Sequence, residues 1–176
     1  NLFFRGATHR GAANGTSGTL LLDPKNIEIV EAGGDDGELG DKAIDFDDDI
    51  GDENFTISAS TLAEELTSGG DVTLQANNDI TFSSDVTSAQ ALGEDLGNNL
   101  TLQAGRSIII GDGVTIELNG SDFTATINDS EATATYRDDG PAVFTMSSGS
   151  SIITNGGAIT IESGGLLNID GVIEVG

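Results

Sequence analysis

The sequence contains no cysteine and no tryptophan, and only one histidine, one tyrosine, one methionine and two prolines among 176 residues. Without cysteine there can be no disulfide, no thiolate nucleophile and no cysteine-ligated zinc. Histidine acid–base chemistry could rest only on His9, which lies between Arg5 and Arg10 in a Gly/Ala-rich start and reads as an exposed terminal side chain. Basic residues are also scarce: Lys and Arg total 6 against 30 Asp and Glu, a formal charge of −24. Such a field repels phosphate backbones and anionic lipid surfaces, so neither a nucleic-acid partner nor membrane docking is expected. No apolar run reaches the roughly 18 residues that a spanning helix needs, so no membrane insertion is expected either.

What is present points to a folded β protein. Hydrophobic residues make up 36% of the chain and come in short ordered runs, which argues against acidic disorder. The 25 Gly, 18 Thr and 15 Ser favour strands and tight turns over helices. The length suits one domain with one continuous core. The first residue is Asn1 and the only methionine is Met146, so the chain is expected to be a processed product or an excised segment of something longer.

Short strands are expected at Thr19–Leu22, Asn26–Val30, Asn54–Ser58, Val72–Ala76, Ile80–Phe82, Leu100–Ala104, Ser107–Ile110, Val114–Leu118 and Phe123–Ile127. Further strands are expected at Ala132–Tyr136, Ala142–Met146, Ser151–Thr154, Ala158–Glu162, Leu166–Ile169 and Val172–Val175. Only Ser60–Leu66 has helical spacing, with Leu62 and Leu66 one turn apart.

An internal repeat organises these strands. Asp71-Val-Thr-Leu-Gln-Ala-Asn-Asn-Asp-Ile-Thr-Phe82 aligns with Asn99-Leu-Thr-Leu-Gln-Ala-Gly-Arg-Ser-Ile-Ile-Ile110 at an offset of 28 residues. A weaker echo at Ala158–Asp170 puts Ile159 and Ile161 in the places of Val72 and Leu74. Each unit is apolar at alternate positions, then polar at a turn, then apolar again. Alternation puts Val72 and Leu74 on one face and Thr73 and Gln75 on the other. One such unit cannot bury its apolar face alone, so successive units must stack as coils of roughly twenty to thirty residues. The expected fold is all-β, a parallel β-helix or solenoid over residues 19–176, with Leu74 directly above Leu102. Asn and Thr at equivalent positions of successive coils are expected to hydrogen-bond along the stack.

Two stretches interrupt the rhythm. Residues 31–53 carry 11 acids and read as a solvated acidic loop. Residues 123–146 have a shorter strand spacing around Asp138-Asp-Gly-Pro141 and could form either a hairpin emerging from the rod or another coil.

Several residues could carry chemistry. Asp45, Asp47, Asp49 and Gly51 form a D-x-D-x-D-x-G string that could wrap one calcium ion. Its glycine falls one place late for an EF-hand and its twelfth position is Thr56, so a solvated loop is the competing reading and no cofactor is required. Asp35, Asp36, Glu38 and Asp41 form a second, weaker cluster. Paired carboxylates could cleave glycosides, but no aromatic-lined sugar cleft is evident, since Tyr136 stands alone; no enzyme is expected. Arg106 is expected to neutralise nearby acids, and Arg137 to pair locally with Asp138 or Asp139. Sequons at Asn14, Asn54, Asn99, Asn119 and Asn128 follow from an Asn- and Thr-rich composition.

The ends carry the remaining information. An open stack of coils leaves unpaired strand edges. Leu166, Leu167, Ile169, Val172, Ile173 and Val175 run almost to the last residue without a cap. Residues 1–18 hold Leu2, Phe3, Phe4, Arg5 and Arg10 and no acid. This extended segment is expected to pair with an adjacent acidic subunit, so that Leu2, Phe3, Phe4 and Arg5 at one end and Ile173 and Val175 at the other make a head-to-tail contact. The competing readings are a tail or the remnant of an upstream coil.

Thr19-Leu-Leu-Leu-Asp-Pro-Lys-Asn-Ile-Glu-Ile29, the stretch from Phe55-Thr-Ile-Ser to Asp71-Val-Thr-Leu-Gln-Ala-Asn-Asn-Asp-Ile80, and Asn155-Gly-Gly-Ala-Ile-Thr-Ile161 resemble phrases of filamentous-haemagglutinin-like proteins. The resemblance spans roughly residues 18–170, with gaps at the acidic loop and at the 123–146 region. It implies a right-handed coil, export of a parent chain by a two-partner route, and a place on the surface of a Gram-negative bacterium, cyanobacteria included. It offers no catalytic residues. The expected function is therefore structural: a secreted segment of a surface filament or adhesin, whose partners are further copies, further coils of a parent chain, or a cell-surface or glycan target. The alternatives are an adhesin segment that binds a ligand without self-assembly and a carbohydrate-active enzyme.

Overall fold

The computed structural model describes residues 24–39, 43–44, 54–67, 70–88 and 98–176. Among the described residues fifteen strands alternate with corners of Gly, Asn and Ser. They are β1 Asn26–Val30, β2 Ala43–Ile44, β3 Asn54–Ser58, β4 Val72–Ala76, β5 Ile80–Phe82, β6 Val86–Thr87, β7 Leu100–Ala104 and β8 Ile108–Ile110. The remainder are β9 Thr115–Glu117, β10 Phe123–Ile127, β11 Val143–Met146, β12 Ser151–Ile153, β13 Ile159–Ser163, β14 Leu166–Ile169 and β15 Val172–Glu174. One α-helix, α1, spans Ala59–Thr67. No described helix is long and apolar enough to cross a membrane.

The strands form three sheets, and every pairing among them is parallel. From β4 onward the chain makes four circuits, visiting the second sheet (β2-β4-β7-β10-β13), then the first (β3-β1-β5-β8-β11-β14), then the third (β6-β9-β12-β15). Each circuit lies one strand spacing, about 4.8 Å, beyond the last. The anticipated stacking is present residue for residue: Leu74 pairs with Leu102, Thr73 with Thr101, and Gln75 with Gln103. The core is therefore a set of columns. Val72, Leu100, Phe123 and Ile159 follow one another in the second sheet. Ile27, Ile80, Ile108, Phe144 and Leu167 follow one another in the first, and Val86, Ile116, Ile152 and Ile173 in the third.

Outward positions carry ladders. The Gln75 amide donates to Gln103 Oε1 at 2.6 Å, and Thr115 and Ser151 hydroxyls lie 3.0 Å apart. At the corner entering the first sheet, Asn78 donates to Asn26 Oδ1 at 2.8 Å and Asn26 to Asn54 Oδ1 at 2.5 Å, linking three levels. At the corner leaving the third sheet, Asn119 and Asn155 adopt left-handed backbone (φ 48° and 51°), which Asn tolerates better than other side-chain-bearing residues. Asn155 Nδ2 donates to Asn119 Oδ1 at 2.7 Å, so the turn residues themselves stack.

Corners also demand glycine where neighbouring levels touch. A Cβ on Gly105 would collide with the Asn77 carbonyl oxygen and crowd Ala132. Gly105→Ala is expected to lower stability by about 1–3 kcal/mol, the usual penalty of overpacking, read as an earlier urea midpoint with an unchanged slope.

The structure departs from the sequence reading in two places. The 123–146 region, read as either a hairpin or another coil, supplies coil strands: β10 pairs in parallel with β7 and β11 with β8. Between them, Ala132–Tyr136 is not a strand. Ala134–Tyr136 is a turn of 3-10 helix in a loop that folds back over the earlier corner, where Asn77 Oδ1 accepts from the Thr133 amide at 2.6 Å and Asn78 Oδ1 from the Asp138 amide at 3.0 Å. The acidic stretch is not wholly solvated. It contributes a 3-10 helix at Asp36–Leu39 and strand β2, and buries Leu39 and Ile44 completely, because its aliphatic residues can reach the core. The expected strand at Thr19–Leu22 lies outside the described residues.

Chain order and spatial order part at the beginning. β1 lies between β3 and β5, so from β1 the described chain runs from the second level up to the first and returns through α1 to the third.

Candidate functional site: one plugged end and one open end

The two ends of the coil differ in kind. At the β3 end the core is closed by α1, whose fully buried Leu62 and Leu66 lie over the columns, with the helix packed against β3, β6 and the Asp36–Leu39 turn. The helical spacing of the two leucines puts both on one face, and Ser60 and Glu64 on the other face meet solvent.

The outer edge of β3 is closed by side chains. The Thr56 amide donates to Asp35 Oδ2 at 2.8 Å, while the Asp35 amide donates to the Thr56 carbonyl at 3.0 Å. The Ser58 amide donates to Asp36 Oδ1 at 2.6 Å and its hydroxyl to Asp36 Oδ2 at 2.8 Å. Two carboxylates thus stand where a neighbouring strand's carbonyls would stand, which blocks edge-to-edge pairing. Burial pushes the Asp36 carboxyl up, but the hydrogen bonds from the Ser58 amide, the Ser58 hydroxyl and Thr61 outweigh it and hold the group below its ordinary 3.8. A carboxyl lowered on folding contributes stability above its unfolded value and loses it as pH falls through the folded one. The stability gap between wild type and Asp36→Asn is therefore expected to be constant at neutral pH and to shrink as pH drops below about 3.8, in urea titrations at each pH. A gap unchanged at still lower pH would contradict the assignment.

Among the described residues the opposite end has neither device. Leu167 is 53% exposed, although Phe144, its neighbour in the column, is fully buried. Ile169 against Met146 (43% and 0%) and Ile173 against Ile152 (39% and 0%) repeat the pattern. These three side chains point along the core columns and are uncovered because β13, β14 and β15 are terminal in their sheets. Leu166, Val172 and Val175 add exposed apolar surface beside them, and Glu162, Asp170 and Glu174 are exposed around them.

Of the residues singled out in the sequence, Ile173 and Val175 sit at this open end. Leu2, Phe3, Phe4 and Arg5, and the candidate calcium ligands Asp45, Asp47 and Asp49, lie outside the described residues. Among the described residues no three acidic or histidine side chains converge as metal ligands. Asp35 and Asp36, read as part of an acid cluster, act as strand caps.

A polar cleft of about 370 Å³ runs beside the Asn ladder and is lined by Glu28, Asn78, Asp79, Arg106 and Asp138 among others. Its carboxylates are engaged. The Arg106 guanidinium forks onto Asp79, with Nε 2.8 Å from Oδ1 and a second contact to Oδ2, and the Asp79 carboxylate holds the Arg106 pKa above its usual value. Asp138 forms a salt bridge with Lys25 at 2.8 Å, and that ammonium is the main cause of its lowered pKa. Glu28 accepts from the Ser83 hydroxyl at 2.7 Å. The cleft stitches three levels and the 128–142 loop together.

No family model matches this chain, and neither a curated protein nor a solved structure matches it. The geometry of the two ends therefore carries the functional reading.

Proposed function

We propose that the chain is a segment of a secreted, extracellular structural protein, a right-handed parallel β-helix that forms part of a surface filament or adhesin. The single observation that supports this most is the end of the core at β13, β14 and β15, where the columns of Leu167, Ile169 and Ile173 stop in solvent while the other end is plugged. An exposed core cross-section is a site for another layer of the same architecture. The likeness of the repeat phrases to filamentous-haemagglutinin-like sequences favours the same reading and the surface of a Gram-negative bacterium.

A catalytic role is disfavoured by the state of the cleft. Glu28, Asp79 and Asp138 each serve a structural partner, and a glycosidase needs one carboxyl free to protonate and another free to attack. The reading requires no cofactor; the surface charge would keep rods soluble and spaced.

Electron microscopy and analytical ultracentrifugation, with and without a calcium chelator, test it. Elongated assemblies that grow with concentration are expected, and loss of them in chelator would assign the string at Asp45, Asp47 and Asp49 a bridging role. A compact monomer at every concentration, or hydrolysis of a polysaccharide by the purified chain, would overturn the structural reading.

A further inference from the structure

One corner of the coil is built unlike its counterparts. The chain turns from the second sheet to the first through residues 77–79, 105–107 and 164–165 in three circuits, and through residues 128–142 in the remaining one. This excursion adds almost nothing to the core: residues 128–141 include no buried residue. It crosses the neighbouring circuit, where Ala132 sits against Gly105, and reaches the circuit before that at Asn77 and Asn78. Its Asp138 meets Lys25, beside β1, three strand spacings or about 14 Å from the level of β11. In a stack of coils each level otherwise touches only its neighbours.

We propose that residues 128–142 form a strap that opens and closes as one unit over an intact coil, latched where Asp138 meets Lys25 and Asn78. The inference holds whether or not rods assemble.

The bonds that hold the strap down are polar. The Thr133 amide donates to Asn77 Oδ1 at 2.6 Å, the Asp138 amide to Asn78 Oδ1 at 3.0 Å, and Asn78 Nδ2 to Asp138 Oδ2 at 3.1 Å. Lys25 Nζ lies 2.8 Å from Asp138 Oδ1, and Arg106 donates to the Asp139 carbonyl at 3.4 Å. The Asp138 side chain is 49% exposed, so water and salt reach the latch. Bonds of this kind exchange for bonds to water at small net cost, whereas a coil strand cannot leave without uncovering a buried column.

The feet of the strap are bonded separately from its latch. At one, the Asp129 amide donates to the Ala104 carbonyl at 3.0 Å; at the other, the Val143 amide donates to Ser107 Oγ at 3.1 Å. Both feet stay on the coil when the middle lifts. What the middle uncovers is polar as well: Asn77 and Asn78 are fully buried beneath it, and water can satisfy their amides. Asp138 is also a wall of the polar cleft, so lifting the strap widens that cleft beside Asn78, Asp79 and Arg106. Excursions from a repeat map to one face of the stack, where they move and vary without disturbing the core.

Hydrogen exchange on the full chain, read by mass spectrometry with fragmentation that separates Thr133 from Asp138, tests the unit. In wild type the strap amides are expected to exchange well before those of β7, β10 and β11. Lys25→Gln removes the ammonium and leaves the strap's own sequence untouched. It is expected to speed exchange about threefold at Thr133 as well as at Asp138, with the strands unchanged. Adding about 0.5 M salt is expected to do the same to wild type and little to the variant, an arm that needs no substitution. Thr133 is the informative amide, because its own acceptor, Asn77, stays in place. Unchanged exchange at Thr133 in the variant and in salt would show separate contacts rather than a latched unit. Strap amides that exchange only as fast as the strand amides would show that the strap opens with the coil. Either result overturns the proposal.

Discussion

Phe144→Ala is expected to lower stability by about 3–5 kcal/mol, whereas Leu167→Ala, one level further along the same column, is expected to cost about 1 kcal/mol or less. Both side chains point into the core and pair directly across the first sheet. They differ in what lies beyond them. Phe144 is fully buried between Ile108 and Leu167, with parallel strands hydrogen-bonded on both sides of β11. Those ladders fix the spacing of the levels, so the space left by the ring cannot close and the loss includes a cavity as well as transfer from water. Leu167 is already 53% exposed, and its removal opens no cavity. Urea midpoints at low protein concentration, where the open end is uncovered, measure the contrast. Equal losses at the two positions would mean that the last level is covered in solution. Repeating the measurement at high concentration makes that outcome informative: the Leu167→Ala loss should grow as the end becomes occupied.

Most of this architecture can be read in the sequence, because a stacked coil writes its geometry as a repeat. The offset of 28 residues between Thr73-Leu-Gln-Ala76 and Thr101-Leu-Gln-Ala104 is the length of one circuit, the next two being 23 and 36 residues, and alternation within each unit decides which side chains enter the core. Elements that depend on one level touching another through a loop were not visible. Ala132–Tyr136 alternates like a strand, but the side-chain oxygens of Asn77 and Asn78 accept from the Thr133 and Asp138 amides and draw the loop backwards instead. The placing of β1 between β3 and β5 has no local signature either, since it is a matter of which strands pair and not of any one segment's pattern. At the ends, the apolar residues Leu166, Leu167, Ile169, Val172, Ile173 and Val175 were legible as a further coil unit. The sealing of β3 was not, because Asp35 and Asp36 look like any other members of an acidic stretch until Thr56 and Ser58 are placed beside them. The same compositional signal, a run of acids, thus conceals a structural part that carries out local backbone capping.

Removing the plug should change both stability and association. Leu62→Ala with Leu66→Ala empties two fully buried positions, and each truncation of this kind costs about 2–5 kcal/mol. Because the two leucines share one face of a nine-residue helix, their losses are coupled, and the helix has little reason to stay once both are gone. The expected product is a rod shortened in cooperative stability but still coiled between β4 and β12, with apolar surface at both ends. It should bind more of a dye specific for exposed apolar surface than Phe144→Ala does at matched stability, since the phenylalanine lies mid-rod and its loss uncovers no end. It should also associate at lower concentration than wild type, because the newly open end can meet β13, β14 and β15 directly. Dye binding and association equal to those of Phe144→Ala would show that α1 contributes only its share of core burial. Greater association would show that the helix is what closes this end of the rod.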